Sequence, residues 1–169
     1  MVEAAVEVKL TYDKSEIKKA ISYYILRVCG FRLYALITYT ILFAAIIVSL
    51  VFSKYAPLSI VFIFAGFILY YLYYQRPIDG YLKYYQKTEA CIYRFSNDRV
   101  HVVSEEIQSQ FLWSVFKKGY EIPFAFLLLD DNKFVYVFSK SRFSDDQSIE
   151  QTHDLLSKRI PNFKVFLND

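Results

Sequence analysis

Two uncharged apolar runs, lying almost end to end, constrain this chain more than any other feature. The first, residues 33–52, reads LYALITYTILFAAIIVSLVF, and the second, residues 56–74, reads APLSIVFIFAGFILYYLYY. At about 1.5 Å of rise per residue the first run reaches roughly 30 Å, the thickness of a bilayer's hydrocarbon core. Only Ser53, Lys54 and Tyr55 separate the two. Pro57 stands in the first turn of the second run, where a missing N–H leaves no hydrogen bond unmade. Helices joined so closely fold back as an antiparallel hairpin. The alternative, a hairpin buried in a soluble core, needs far more surrounding chain than 169 residues supply. The expectation is a two-helix transmembrane hairpin over residues 33–74.

Neither run contains Asp, Glu, Lys, Arg or His, so the ionisable groups that mark ion and proton pathways are missing. Ala44, Ala45, Ala65 and Gly66 fall near mid-membrane, where small residues let helices approach closely and also permit a homo-oligomer. Lys18, Lys19, Arg27 and Arg32 precede the hairpin, Arg76, Lys83 and Lys87 follow it, and its loop holds only Lys54. Positive charge is retained on the cytoplasmic side, so both termini are expected in the cytoplasm of a bacterial inner-membrane protein. Arg32, Tyr70, Tyr71, Tyr73, Tyr74 and Arg76 read as anchors at the membrane interface. Pro77 is expected to end the second helix, with a connector over residues 75–88 that turns helical again from Asp79.

The net charge of +3 divides unevenly. Residues 1–90 carry ten Lys or Arg against six acids, +4, and residues 91–169 carry ten against eleven, −1. A nucleic-acid-binding domain should itself be basic, so nucleic acid is not an expected partner. Met1 is followed closely by Glu3 and the first apolar run begins near residue 33, so no cleavable signal peptide is expected. Cys29 and Cys91 lack the spacing of a disulfide framework or metal site and read as free buried thiols.

Before the hairpin, residues 4–12 alternate apolar and polar with the period of a half-buried strand. Asp13-Lys14-Ser15-Glu16 has the form of a capping box. Ile17, Ala20, Ile21, Tyr24 and Val28 then recur at helical spacing, with Lys14, Lys18 and Lys19 off that stripe. Such a helix either lies on the membrane surface or packs on the C-terminal domain. Gly30 marks a bend, closing an N-terminal region of residues 1–32. Beyond the connector, residues 89–169 read as strands around 90–95, 100–103, 107–116, 124–129 and 134–138, with Lys117-Lys118-Gly119 as a break. Ser144-Asp145-Asp146 caps a helix whose apolar face is Ile149, His153, Leu155, Leu156 and Ile160, and Phe163, Val165 and Leu167 alternate at the end. The fold class expected is membrane α+β: the hairpin plus a C-terminal antiparallel sheet or small barrel with one C-terminal helix.

This order of elements, with Phe95, Asn97-Asp98, Trp113-Ser114, Glu121, the strand 124–129 and the segment Lys140-Ser141-Arg142-Phe143, resembles the YcxB-like membrane proteins of bacteria. The resemblance spans nearly the whole chain, but its motifs are packing and turn residues. It implies a pleckstrin-homology-like C-terminal domain and brings no catalytic residues with it.

The residues themselves offer little chemistry. His101 and His153 stand alone, and there is no Gly-rich phosphate loop or nucleophile elbow. The carboxylate pairs Glu105-Glu106, Asp130-Asp131 and Asp145-Asp146 sit where acids cap and solvate turns. No enzyme, metal or cofactor is expected. Trp113 reads as a core anchor or, alternatively, as a partner contact. Lys117, Lys118, Lys140 and Arg142 read as basic clusters that are either a solvated rim or a contact for a partner or anionic lipid. The functional expectation is a membrane-anchored interaction or regulatory protein that meets a protein partner at the bilayer. The alternatives are an immunity protein against a membrane-acting toxin and an anionic-lipid sensor.

Overall fold

The structure, a computed structural model, describes residues 6–10, 13–52, 56–87, 91–104 and 108–167. The Ser53–Tyr55 turn with Lys54, the Glu105-Glu106 pair, and Ala4, Thr11, Tyr12, Glu89, Ala90 and Ile107 lie outside the described residues. The fold is α+β and divides into two compact units, Met1–Ala20 with Tyr85–Asp169, and Ile21–Tyr84.

The first unit holds two four-stranded sheets. In the first, β1 (Val6–Leu10), β2 (Cys91–Phe95), β3 (Arg99–Val103) and β4 (Gln108–Leu112) pair in that order, all antiparallel. Val6 and Val8 of β1 are buried and Glu7 and Lys9 exposed, the alternation of a strand with one face on a core. The second sheet runs β7 (Val135–Ser139), β6 (Ala125–Asp130), β5 (Phe116–Ile122) and β8 (Phe163–Val165), with β8 parallel to β5. Residues 125–129 of β6 are all buried, as a strand with neighbours on both sides and covered faces requires. Aromatic rings join the sheets: Tyr93 and Phe95 meet Phe138 edge-on at 5.0 and 5.2 Å, and Phe95 lies 5.8 Å from Trp113. Helix α5 (Asp146–Arg159), capped by a reciprocal Asp145–Ser148 box, crosses between β7 and β8.

Three sequence expectations change here. The strand expected over 107–116 is broken at Trp113–Val115 by a 3-10 turn, which carries the chain from the first sheet into the second. Lys117-Lys118-Gly119 does not end the strand: β5 runs on through it with a shift of register between Phe116 and Lys118, and Gly119 pairs with Leu128 on one side and Phe163 on the other. The glycine is needed because the Phe163 ring lies over it: a Cβ there would sit 2.8 Å from Phe163 Cδ2. The single curved sheet or barrel becomes two sheets, since β1 joins one and β8 the other.

Helix α1 (Lys14–Tyr23) starts at Asp13, whose Oδ1 accepts from the N–H groups of Ser15 and Glu16 at 2.8 and 3.1 Å. Glu16 does not reach back as a capping box requires. Its carboxylate accepts from Ser141 Oγ at 2.7 Å and Arg142 Nε at 3.1 Å. Ile17 and Ala20 are buried, and Lys19 Nζ stands 4.2 Å over the Phe124 ring. The start of α1 therefore packs on the C-terminal strands, and residues 1–20 belong with residues 85–169 instead of forming a region of their own.

The second unit is built on α2 (Phe31–Val51) and α3 (Ala56–Tyr70), both within stretches long and apolar enough to cross a membrane. Gly30 takes the left-handed conformation, φ 69°, and opens α2. Ala35, Thr38, Leu42, Ala45 and Ser49 form the less exposed stripe of α2, and Ser59, Phe62, Ala65, Gly66 and Leu69 that of α3. Gly66 lies against Leu42 and Tyr39, whose hydroxyl donates to Gly66 O at 3.4 Å. Ala44 faces away from this seam. Pro77 does not stop the helix, which runs unbroken from Pro57 to Lys87. A π turn over Tyr71–Gln75 precedes it, and the Arg76 N–H reaches back to Tyr71 O. The widened turn accommodates Pro77, the second residue of α4 (Arg76–Lys87), inside the continuous helix.

Residues 21–84 are an insertion between β1 and β2, although these strands are direct neighbours: Val6 faces Phe95 and Leu10 faces Cys91.

Candidate functional site

The most charged buried feature of the first unit is centred on Glu121, which β5 places only 5% exposed. A carboxylate in that position is held only if its oxygens are satisfied. Lys140 Nζ, from the 3-10 turn after β7, donates to Oε1 at 2.6 Å, and His153 Nδ1, from α5, bonds to Oε2. The imidazole also stands edge-on to Phe163 at 5.6 Å. Three elements distant in sequence are thereby tied to one carboxylate. Among the described residues no hydroxyl or thiol is hydrogen-bonded to His153, and no group of three His, Cys, Asp or Glu is placed to hold a metal ion. The geometry is that of a clamp joining α5 and the Lys140–Arg142 turn to the sheet.

Beside it lies a second ionic cluster. Arg142 pairs with Glu16 at 3.1 Å and Asp13 at 3.6 Å, linking the start of α1 to the same turn. Lys140 and Arg142, expected as part of a solvated rim or of a contact for a partner or anionic lipid, are paired here with Glu121, Glu16 and Asp13. Trp113 takes the core-anchor place of its two expected readings: it is 6% exposed, packs near Phe95 and Phe116, and donates its indole N–H to Ser96 O at 3.0 Å. Lys117 remains accessible, 3.4 Å from Asp131, and Lys118 is exposed on β5. His101 pairs across β3 with Arg94 and Gln110. Asp130 caps the β6–β7 turn, accepting from the Phe134 N–H at 2.9 Å, and Asp145 caps α5. Cys29 and Cys91 are free thiols but not buried as expected: Cys29 is exposed and Cys91 half-buried.

No protein-family model, curated protein or solved structure matches this chain.

In the second unit Tyr70, Tyr71 and Tyr73 are exposed and Tyr74 half-buried, with the Tyr70 and Tyr74 rings 5.3 Å apart and Tyr73 stacked near Phe31. Arg32 and Arg76 are exposed at the same end of the antiparallel pair. Sequence reasoning missed the Glu121 clamp. Its only local signal is one acid between the apolar residues Tyr120 and Ile122 of a strand, and its partners stand 19 and 32 residues away.

Proposed function

We propose that this is a membrane-anchored, non-enzymatic interaction or regulatory protein. A transmembrane hairpin holds a pleckstrin-homology-like domain at the cytoplasmic face of a bacterial inner membrane, where it meets a protein partner. The observation that carries the reading is the insertion of residues 21–84 between two paired strands. Because Leu10 and Cys91 face each other in one ladder, a chain that leaves the domain after β1 must return to it before β2. Two spans meet that requirement and one span does not. Both flanks of the hairpin then share a compartment with the domain. Charge supports the cytoplasm as that compartment: residues 21–84 carry five Lys or Arg against one acid, and all but Lys54 flank the two runs on the domain side.

The apolar surface supports the anchor. Only 6% of the most apolar window of each long helix is buried, and Leu33, Leu36, Phe43, Phe64 and Phe67 are among the large side chains left exposed. That is far more contiguous apolar surface than a soluble monomer carries. Antiparallel strands followed by a helix support the pleckstrin-homology-like reading, and with it the YcxB-like resemblance. The non-enzymatic part of the proposal draws on Glu121, whose oxygens are engaged by Lys140 and His153 of the same chain.

Crosslinking in intact cells, followed by mass spectrometry of what purifies with the protein, tests the interaction. One abundant partner is expected, and recovery of the protein alone would overturn the reading. Alkaline phosphatase fused after Lys54 should be active and at the C-terminus inactive. The reverse pattern would place the domain on the other side.

A further inference from the structure

We propose that an extended peptide segment of a partner protein adds as a further strand to the outer edge of β1, in the groove between β1 and α5. The inference rests on the reading of this chain as a protein-binding module and names the surface that does the binding.

β1 stands at the end of its sheet, paired with β2 on one side only. In an antiparallel pair successive residues alternate between bonding to the neighbour and pointing their backbone groups outward. Whichever register holds, at least two of the five residues Val6–Leu10 aim an N–H and a C=O away from β2. Among the described residues those groups have no hydrogen-bond partner. Proteins usually close such edges. The edge of β7 is closed here: the Tyr85 hydroxyl donates to Val135 O at 2.9 Å and accepts from the Val137 N–H at 2.8 Å. Among the described residues the edge of β1 is left open.

The open edge faces a groove. Two adjoining hollows of about 510 and 240 Å³ share Val6 and Gln151 as lining. One wall is Val6, Glu7 and Lys9 of β1. The other is a stripe of α5 running from Gln147 through Gln151 and Leu155 to Lys158. That stripe is roughly 16 Å long, the length of about five extended residues, which matches β1. Glu7 is tied to Arg94, Arg142 to Glu16 and Asp13, and Asp145 to the helix cap. Lys9, Gln147, Gln151 and Lys158 have no partner among the described residues. Lys9 and Lys158, each without a partner among the described residues, would each take an acidic side chain of the segment, and half-buried Leu155 offers a place for an apolar one. Main-chain pairing would supply affinity, and alternate side chains of the segment would supply selectivity.

The test uses the full chain in lipid nanodiscs and a display library of random nine-residue peptides as the probe. Selected peptides should be enriched in Asp or Glu and raise hydrogen-exchange protection in residues 6–10. N-methylation of alternate peptide residues should weaken binding at least tenfold. Gln151→Trp, which fills the groove from an exposed helix position, should do the same with an unchanged melting temperature, and Lys9→Glu with Lys158→Glu should remove the acidic preference. Failure to select any peptide, or binding indifferent to both N-methylation and Gln151→Trp, overturns the proposal. Concentration-dependent protection of residues 6–10 without peptide places a second copy of the chain on the edge and overturns it too. Recovery of a crosslinked partner in cells whose binding survives Gln151→Trp rejects this groove while leaving the interaction reading intact.

Discussion

At the scale of single residues, two glycines that look alike in sequence have opposite tolerances. A Cβ on Gly119 would lie 2.8 Å from the Phe163 ring and 3.2 Å from Ile160, whereas one on Gly66 would meet Leu42 and Tyr39 at 3.6 and 3.7 Å, ordinary contact distances. Gly119→Ala should therefore destabilise the first unit by about 1–3 kcal/mol through overpacking, and Gly66→Ala should be close to neutral. Melts followed by the emission of Trp113, the single tryptophan, would read the difference for Gly119, and equal melting of both variants would refute it. The Glu121–Lys140 pair allows a second test. Its side chains are 7% and 18% exposed, so removing one partner leaves a charge with little water to solvate it. Glu121→Gln and Lys140→Met should each destabilise, and the double variant should lose less than their sum, with a coupling of about 1–3 kcal/mol. An additive cycle would show the clamp to be inert. Neither feature was legible beforehand. Glycine in a Lys-Lys-Gly run has the signature of a turn, and a charge shows its sign in sequence but not its partner.

At the scale of elements, legibility followed the range of the forces involved. The apolar runs of α2 and α3 are visible because a helix long and apolar enough to cross a membrane is a local, continuous pattern, and helix α5 because its cap and stripe lie within a few residues of each other. What failed depended on chain far away or on compensation nearby. β5 continues through Lys118 and Gly119 because β6 pairs along it and β8, from more than forty residues later, joins it at Gly119, and Pro77 is tolerated because the turn before it widens. The end of α4 is fixed in the same non-local way. Tyr85 donates to Val135 O and accepts from Val137 N–H, closing an edge that would otherwise be bare. Tyr85→Phe removes both bonds and leaves two buried backbone groups unmatched, which should destabilise by about 1–3 kcal/mol. Hydrogen exchange at the Val137 amide should rise ahead of global unfolding. Unchanged exchange there would mean that water replaces the hydroxyl without loss.

At the scale of the whole molecule, the decisive fact is that the residues before the hairpin are structural parts of the domain after it. β1 supplies the outer strand of the first sheet, and Asp13 and Glu16 hold Arg142 from the other end of the chain. Residues 89–169 alone would therefore expose the edge of β2 and leave Arg142 without its acids, so that fragment should aggregate or lack a cooperative melt. A chain in which residues 21–84 are replaced by a flexible Gly/Ser linker restores β1 and the start of α1 at once. It should be a soluble monomer with a cooperative transition and the buried Trp113 emission of the intact protein. Side-by-side measurement of far-ultraviolet dichroism, tryptophan emission and sedimentation separates the two outcomes. If 89–169 folds as well as the relinked chain, β1 is only an accessory strand, and the chain need not return to the side it left. If only the relinked chain folds, the hairpin is an insertion into a domain complete without it, and anchoring and binding are divided between the two units.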